Sequence, residues 1–494
     1  MNRVARIAIL ALLVGAVYWA GAARCLASGK GVFEQAEQLR REYVAQLERL
    51  AGLCEEHGLP AEAERTRKAI GPTDPYKVFI PALPRELQAD RPSDDAARLV
   101  RQWYARFVEI RRDYAQACFD LAQRTVRSHP SLAYQLALRT LRADPDHEAA
   151  RRIFGYQQYR GEWHTPFEVQ QLRAGNVDHE RFGWLPRNHV GPYEQGKRYH
   201  NGRWITAEQD AKLHAEINDG WDIETAHYTI RTNHSLEAGV GLGRKLEHLY
   251  RLWQQLFVRF YASAADVQAL FAGRAGRVPP PGRRHRVVYF RDRDDYNRAL
   301  RPVMANIEVS VGVYLSNVNR AYFFAGKDAD DRTLFHEATH QLFHESTRVA
   351  PNVGVRFNFW IVEGIAMFME SLRREGDYWV LGGLQDARMN AARVRFLRDD
   401  FYIPLGDFTS WGMKRLQSDP RIATLYSQAA GLTHFLVFAE EGRYRDALVG
   451  YLRAVYSGRD TPATLAQLTG KSYDELDSEY REFMRRTLPK AESR

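Results

Sequence analysis

Leu334-Phe335-His336-Glu337-Ala338-Thr339-His340-Gln341-Leu342-Phe343 is the stretch from which the rest of the chain is read. It contains no Gly or Pro, and Asp330 and Asp331 lie just ahead of it, where carboxylates suit a helix N-terminus. At about 100° per residue, His336 and His340 stand only about 40° apart on such a helix. Their imidazoles can then meet one ion, and imidazole suits Zn2+. Glu337 falls on the neighbouring face, placed to take a proton from an attacking water and later deliver it to a leaving amine. A surface helix with incidental histidines would share these five residues. Leu334, Phe335, Ala338, Leu342 and Phe343 make the rest of the helix apolar, however, and buried histidines need partners of the kind a metal supplies.

A catalytic zinc takes three protein ligands and keeps one position open. The candidate third ligand is Glu363, in Trp360-Ile361-Val362-Glu363-Gly364-Ile365-Ala366, 23 residues after His340. A carboxylate in so apolar a helix is costly to leave alone; metal ligation offsets that cost, and so would a salt bridge. His344 continues the four-residue series but lies about 80° from His336, which makes it a cleft residue or a helix-end histidine. Glu370 returns to nearly the face of Glu363. It can orient a ligand histidine through the ring N–H, or stand as a solvated or salt-bridged glutamate.

HExxH followed by W-x-x-E-G-x-A resembles the gluzincins, the peptidase-MA-like zinc metallopeptidases. The resemblance implies His336, His340 and Glu363 as ligands of one zinc and Glu337 as general base. It also implies that Val309–Phe324, read as a hairpin around Asn317-Val318-Asn319, supplies an edge strand beside which an extended polypeptide substrate lies. A closer resemblance is to bacterial secreted proteins grouped as domain of unknown function 1570. Their HEATHQL-like, EGxA and YxQxxxLxHFL-like segments have counterparts here, over roughly residues 225–485. The last of these is Tyr426-Ser427-Gln428-Ala429-Ala430-Gly431-Leu432-Thr433-His434-Phe435-Leu436. In gluzincins a Tyr or His downstream of the third ligand donates to the oxyanion, which implies Tyr426 first and His434 as the alternative. The plain reading of both is a polar side chain hydrogen-bonded inside a helical core. One departure from the family is Asn358-Phe359, where a proline often precedes the Trp; another is the Ser346–Phe357 loop with Arg348 and Arg356, which alters the cleft entrance.

Outward from this centre, the chain reads as α+β. Tyr228–Thr232 and Arg286–Phe290 alternate like strands, and Leu236 to Phe260 reads as one long amphipathic helix. The stretch after Asp331 reads as mainly helical, closing with a helix pair over Thr461–Arg486 in which Ser472 is an N-cap. Towards the N-terminus, residues 31–70 and 95–156 carry helical spacing either side of a proline-rich break. Ser131–Ala150 resembles a tetratricopeptide hairpin, although no 34-residue period is present. Tyr159-x-Gly161-x-Trp163-x-Thr165 returns as His200-x-Gly202-x-Trp204-x-Thr206, either a ligand-binding module or a packing unit. The expected division is a signal peptide at 1–27, a helical domain at 28–157 and a repeat linker at 158–220. The sheet with the HExxH helix then spans 221–345, and the third-ligand helix with a helical C-terminal subdomain spans 346–494.

Arg3 and Arg6, the uncharged run Ile7–Ala23 and the small residues around Ala27 form the pattern of a secretory signal peptide. The expected location is therefore secreted or periplasmic, with an uncleaved membrane anchor as the alternative. The net charge of +9 falls to about +6 without residues 1–27 and is not concentrated, so no nucleic-acid partner is expected. Cys54 and Cys118 remain and could pair in an oxidising compartment. The function expected is zinc-dependent peptide hydrolysis, with the N-terminal helices positioning a protein partner or substrate. The rival class is a non-catalytic envelope scaffold with a structural or vestigial zinc site.

Overall fold

The computed structural model describes residues 31–89, 91–274, 283–327 and 330–487, so the leader read over 1–27 lies outside the described residues. Helices and small sheets make a mixed fold divided between two compact units. The first unit takes the described residues up to Asp74, with Phe79–Thr165 and the described part of Ser263–Val278. The second takes Pro75–Val78, Pro166–Ala262 and the rest of the chain.

The first unit is helical. Val32–Glu56 turns at Gly58 into Pro60–Ile70, and Arg98–Thr125 turns into Pro130–Ala143. Both return helices start on a proline, whose missing N–H costs nothing at a helix start. Within the helical spacing read over 31–70, Leu39, Tyr43, Leu47 and Leu50 are buried, and Tyr43 stacks on Tyr114 at 4.1 Å. The second helix of the hairpin read over Ser131–Ala150 begins at Glu148, where His147 caps it by accepting from Ala150 N. Ala264–Phe271 completes this core from far along the chain: Phe271 packs edge-on to Tyr134 and its carbonyl accepts from Gln123. Cys54 and Cys118 are separate buried thiols.

The repeat occurs three times, not twice. Gly155, Gly175 and Gly196, each with φ near +80°, end one helix and open a hairpin. The hairpins are Gln157–Tyr159 with Glu162–His164, Asn176–His179 with Gly183–Pro186, and Lys197–His200 with Arg203–Thr206. Each leads into a short helix: Pro166–Arg173, Val190–Glu194 and Ala207–Leu213. Trp163, Trp184 and Trp204 hold one register, opposite Gln158, Asp178 and Tyr199. The middle copy escapes the sequence pattern because Gly183 directly precedes its Trp.

The second unit is built on a five-stranded sheet: β1 (Trp221–Glu224), β2 (Tyr228–Thr232), β3 (His285–Phe290), β4 (Val313–Leu315) and β5 (Arg320–Phe324). Its order is β4-β5-β3-β2-β1; β3 runs parallel to β2 and β5, and the two edge strands run antiparallel. Leu236–Leu256 lies close on β1 and β2, because a Cβ at Gly239 or Gly243 would press on Ile223, Ile230 and two threonines. The helix expected to reach Phe260 breaks at Phe257 and resumes as Val258–Tyr261. Asp331–Glu345 packs behind the sheet, with Gln341 donating to the Arg286 carbonyl and Phe343 set among Trp253, Phe257 and Phe260. Beyond it come Phe359–Met369, Ala387–Leu397, Ile422–Phe438 and the expected closing pair, Thr464–Thr469 and Tyr473–Arg486, with Ser472 in a capping box. A hairpin, Arg373–Glu375 with Tyr378–Gly382, interrupts what read as a helical stretch. Among the described residues one helix, Ile422–Gly442, is long and apolar enough to cross a membrane, and it is mostly buried within the fold.

Candidate metal centre

The HExxH segment is one uninterrupted helix. Asp330 caps it by accepting from Thr333 N at 2.8 Å, and Asp331 sits in the first turn. Its back, Leu334, Phe335, Ala338, Leu342 and Phe343, is buried, which leaves His336, Glu337 and His340 on a partly open face.

Glu363 reaches that face from Phe359–Met369. Asn358 starts this helix in the left-handed region, φ 59°, which a proline ring cannot adopt. The departure from the family pattern therefore has a structural cause. The Asn358 side chain is fully buried; it donates to Asp460 and to the Thr461 carbonyl and accepts from the Tyr451 hydroxyl. Gly364 then lets Ile422–Phe438 come close, since a Cβ there would stand 2.4 Å from Thr433 Oγ1.

Three donor atoms converge. His336 Nε2 lies 3.1 Å from His340 Nε2 and 3.5 Å from Glu363 Oε2, and His340 Nε2 lies 3.8 Å from Glu363 Oε1. Ligands held about 2.1 Å from a tetrahedral ion are about 3.4 Å apart, so two imidazoles and a carboxylate at these spacings fit one such ion. These residues are also one of two groups among the described residues whose ligand atoms all lie within 4.8 Å of one another.

The surrounding charges follow from burial and pairing. Glu370 receives the His336 Nδ1 proton at 2.8 Å and is itself clamped by Arg388 and Arg332. It thus fills both roles read for it, orienting a histidine and forming salt bridges. Burial would raise its carboxyl, but His336 and Arg388 hold it down to about 2. Burial opposes charge on His336, yet Glu363 and Glu370 outweigh it and hold the ring up to about 10 without an ion. Burial pushes His340 down to about 4. Glu363 stays below the usual carboxylate range because His336 and His340 offset its burial.

Glu337 stands outside the three-ligand set. Its Oε2 accepts from the backbone N–H of Tyr314, on edge strand β4, at 2.9 Å. Burial raises its carboxyl to about 7, a suitable range for taking and returning a proton.

The Tyr426 hydroxyl is beside Glu363, and burial together with that carboxylate's charge pushes it well up. His434 is elsewhere: buried in the helical core, Nδ1 against the Ala430 carbonyl, edge-on to Phe368. Of the two alternatives read from sequence, the structure brings Tyr426, the first choice, beside Glu363 and leaves His434, about 80° further around the helix, inside the core. His344 lies between the rings of Tyr314 and Tyr456, 5.6 and 5.3 Å away, beside the cleft.

Three contributors were not read from the sequence. Arg332 had a usable signal, one turn ahead of His336. Arg388 had none, since it arrives from a separate helix. Tyr456 had none either; it stacks on Phe343, feels the charge of Glu363, and its buried hydroxyl has no partner among the described residues.

No curated protein matches the chain. Residues 331–459, from the first residue of the HExxH helix to just past the helix carrying Tyr456, match a family described as a protein of unknown function, DUF1570. That span is narrower than the 225–485 resemblance read from sequence and leaves out the sheet. It holds every residue of the candidate centre except Tyr314, so over this stretch the chain resembles DUF1570.

Proposed function

We propose that the protein is an exported, gluzincin-type zinc metallopeptidase whose N-terminal tetratricopeptide-like hairpins engage a protein partner or substrate. The observation that carries the reading is the placement of Glu337, outside the three converging ligands yet tied to the edge strand by Tyr314 N. A purely structural ion needs three or four ligands and has no use for such a carboxylate.

His336, His340 and Glu363 would hold the zinc, which supplies Lewis acidity at a carbonyl and at a water. Glu370 keeps the His336 Nδ1 proton occupied, so that Nε2 is the nitrogen that would meet an ion once its own proton is displaced. A peptide laid along the outer edge of β4 brings its scissile carbonyl towards Glu337. Glu337 takes the proton of the attacking water and passes it to the leaving nitrogen. Tyr426 donates its hydroxyl proton in a hydrogen bond to the developing oxyanion.

The test is hydrolysis of an unfolded protein by the purified chain, before and after chelation. The expected result is turnover lost with the metal, restored by zinc, and abolished by Glu363→Gln with loss of one ion. Turnover indifferent to both treatments would refute the reading. No turnover in any state, with tight capture of a protein partner, would favour the scaffold class.

A further inference from the structure

The third hairpin and its helix carry a second convergence of metal-binding side chains. His200 ends the strand Lys197–His200, Asp210 lies within Ala207–Leu213, and His214 caps that helix at its C-terminus. One ligand atom from each falls within a 4.8 Å group, and His214 Nε2 is 3.5 Å from Asp210 Oδ1. That separation is close to the edge of a tetrahedral coordination sphere, about 3.4 Å.

Two of these groups, His214 and Asp210, are already turned the way a ligand needs. His214 Nδ1 lies against the Asp219 carbonyl, so that nitrogen carries the proton and Nε2 presents a lone pair towards Asp210. Asp210 is buried, and its Oδ2 accepts from the Trp221 indole at 2.9 Å, which fixes the carboxylate and leaves Oδ1 facing His214. A lone pair and a carboxylate oxygen facing each other repel unless a proton or a cation stands between them. His200 is held at a tight turn whose next residues, Asn201 and Gly202, both have positive φ. Asn201 Nδ2 lies 2.9 Å from His200 Nε2 and donates to it; with the amide flipped end for end, its oxygen would meet an Nε2–H and leave Nδ1 bare for an ion.

The other two copies show what is particular to the third. The equivalent positions are Tyr159, Val169 and Arg173 in the first, and His179, Val190 and Glu194 in the second. In the second copy His179 Nδ1 accepts from Arg181 N and Nε2 meets Glu194 Oε1 at 3.4 Å, a plain hydrogen bond across the same two positions. The third replaces that glutamate with a histidine and the valine with an aspartate. A hydrogen bond between hairpin and helix thereby becomes a three-ligand donor set.

We propose that His200, Asp210 and His214 form a second metal site, for a divalent first-row ion of the zinc class, that clips the third hairpin to its helix. The two imidazoles and one carboxylate select such an ion over calcium or magnesium, and the partial exposure of both histidines leaves a coordination position for water. The site is independent of the HExxH centre and does not need the peptidase reading to hold.

The test is zinc bound per full chain after stripping and reloading, by elemental analysis. Two ions are expected in the unaltered protein, and one fewer in each of His200→Gln and His214→Gln. His340→Ala should keep the second ion. In that variant, Co2+ should quench Trp221, whose ring is 4.7 Å from that of His214, and Trp221→Phe should remove the quenched component. His200→Gln, partly exposed at a hairpin end, keeps the test valid if His214→Gln fails to fold. A zinc content that both substitutions leave unchanged overturns the proposal.

Discussion

His336 sits between two carboxylates, Glu363 and Glu370, and this sets how an ion would compete for it. Held up to about 10, the ring is protonated at neutral pH without an ion, whereas His340, pushed down to about 4, is already neutral. Zinc must therefore displace one proton from His336, and affinity should rise with pH, about tenfold per unit between pH 7.5 and 9. Competition with a chromogenic chelator across that range measures it; a flat profile would contradict the assignment. At the cleft, Tyr426→Phe should lower kcat by about 100-fold with KM little changed, whereas His434→Gln should move the melting temperature and not kcat. Steady-state kinetics on the two variants separates them, and equal losses of kcat would return His434 to the site. The shared face of His336 and His340 was legible because i, i+4 spacing on one helix dictates it, whereas Glu363 comes from a separate helix and stood out only as a carboxylate in an apolar run. Tyr426 and His434 stayed alternatives because family position alone gave no face.

At the scale of elements, Gly364 governs how closely Phe359–Met369 approaches Ile422–Phe438. An added methyl would stand 2.4 Å from Thr433 Oγ1 and 3.0 Å from the Ala429 carbonyl. Gly364→Ala should therefore cost on the order of 1–3 kcal/mol of stability and displace Tyr426, seen as a lower midpoint in denaturant and a reduced kcat. A variant as stable and active as the parent would show that the two helices have slack. Amphipathic stripes announced the helices, and alternation announced β2 and β3. The hairpin Arg373–Gly382 was not announced, because its Arg-Arg-Glu strand has no apolar alternation. The middle repeat was hidden by the altered spacing of Gly183 and Trp184. The left-handed start at Asn358 became legible only with the three hydrogen-bond partners of its buried side chain in view.

Across the whole molecule, the two units are not consecutive pieces of chain, and a linear reading could not find their borders. The helical unit takes Ala264–Phe271 from between two elements of the other, with Phe271 against Tyr134. A fragment spanning 31–165 lacks that helix and should melt well below the full chain's corresponding transition; Phe271→Ala in the full chain should cost about 3–5 kcal/mol. Calorimetry decides, and a fragment as stable as the intact unit would contradict this division. The most direct test of the central claim is a paired measurement on Glu337→Gln: bound zinc by elemental analysis, and hydrolysis of an unfolded protein. The account predicts an unchanged zinc content with hydrolysis lowered by at least about a thousandfold, since Glu337 moves the proton but holds no ion. Hydrolysis retained at the parental rate, or lost only together with the zinc, would contradict it.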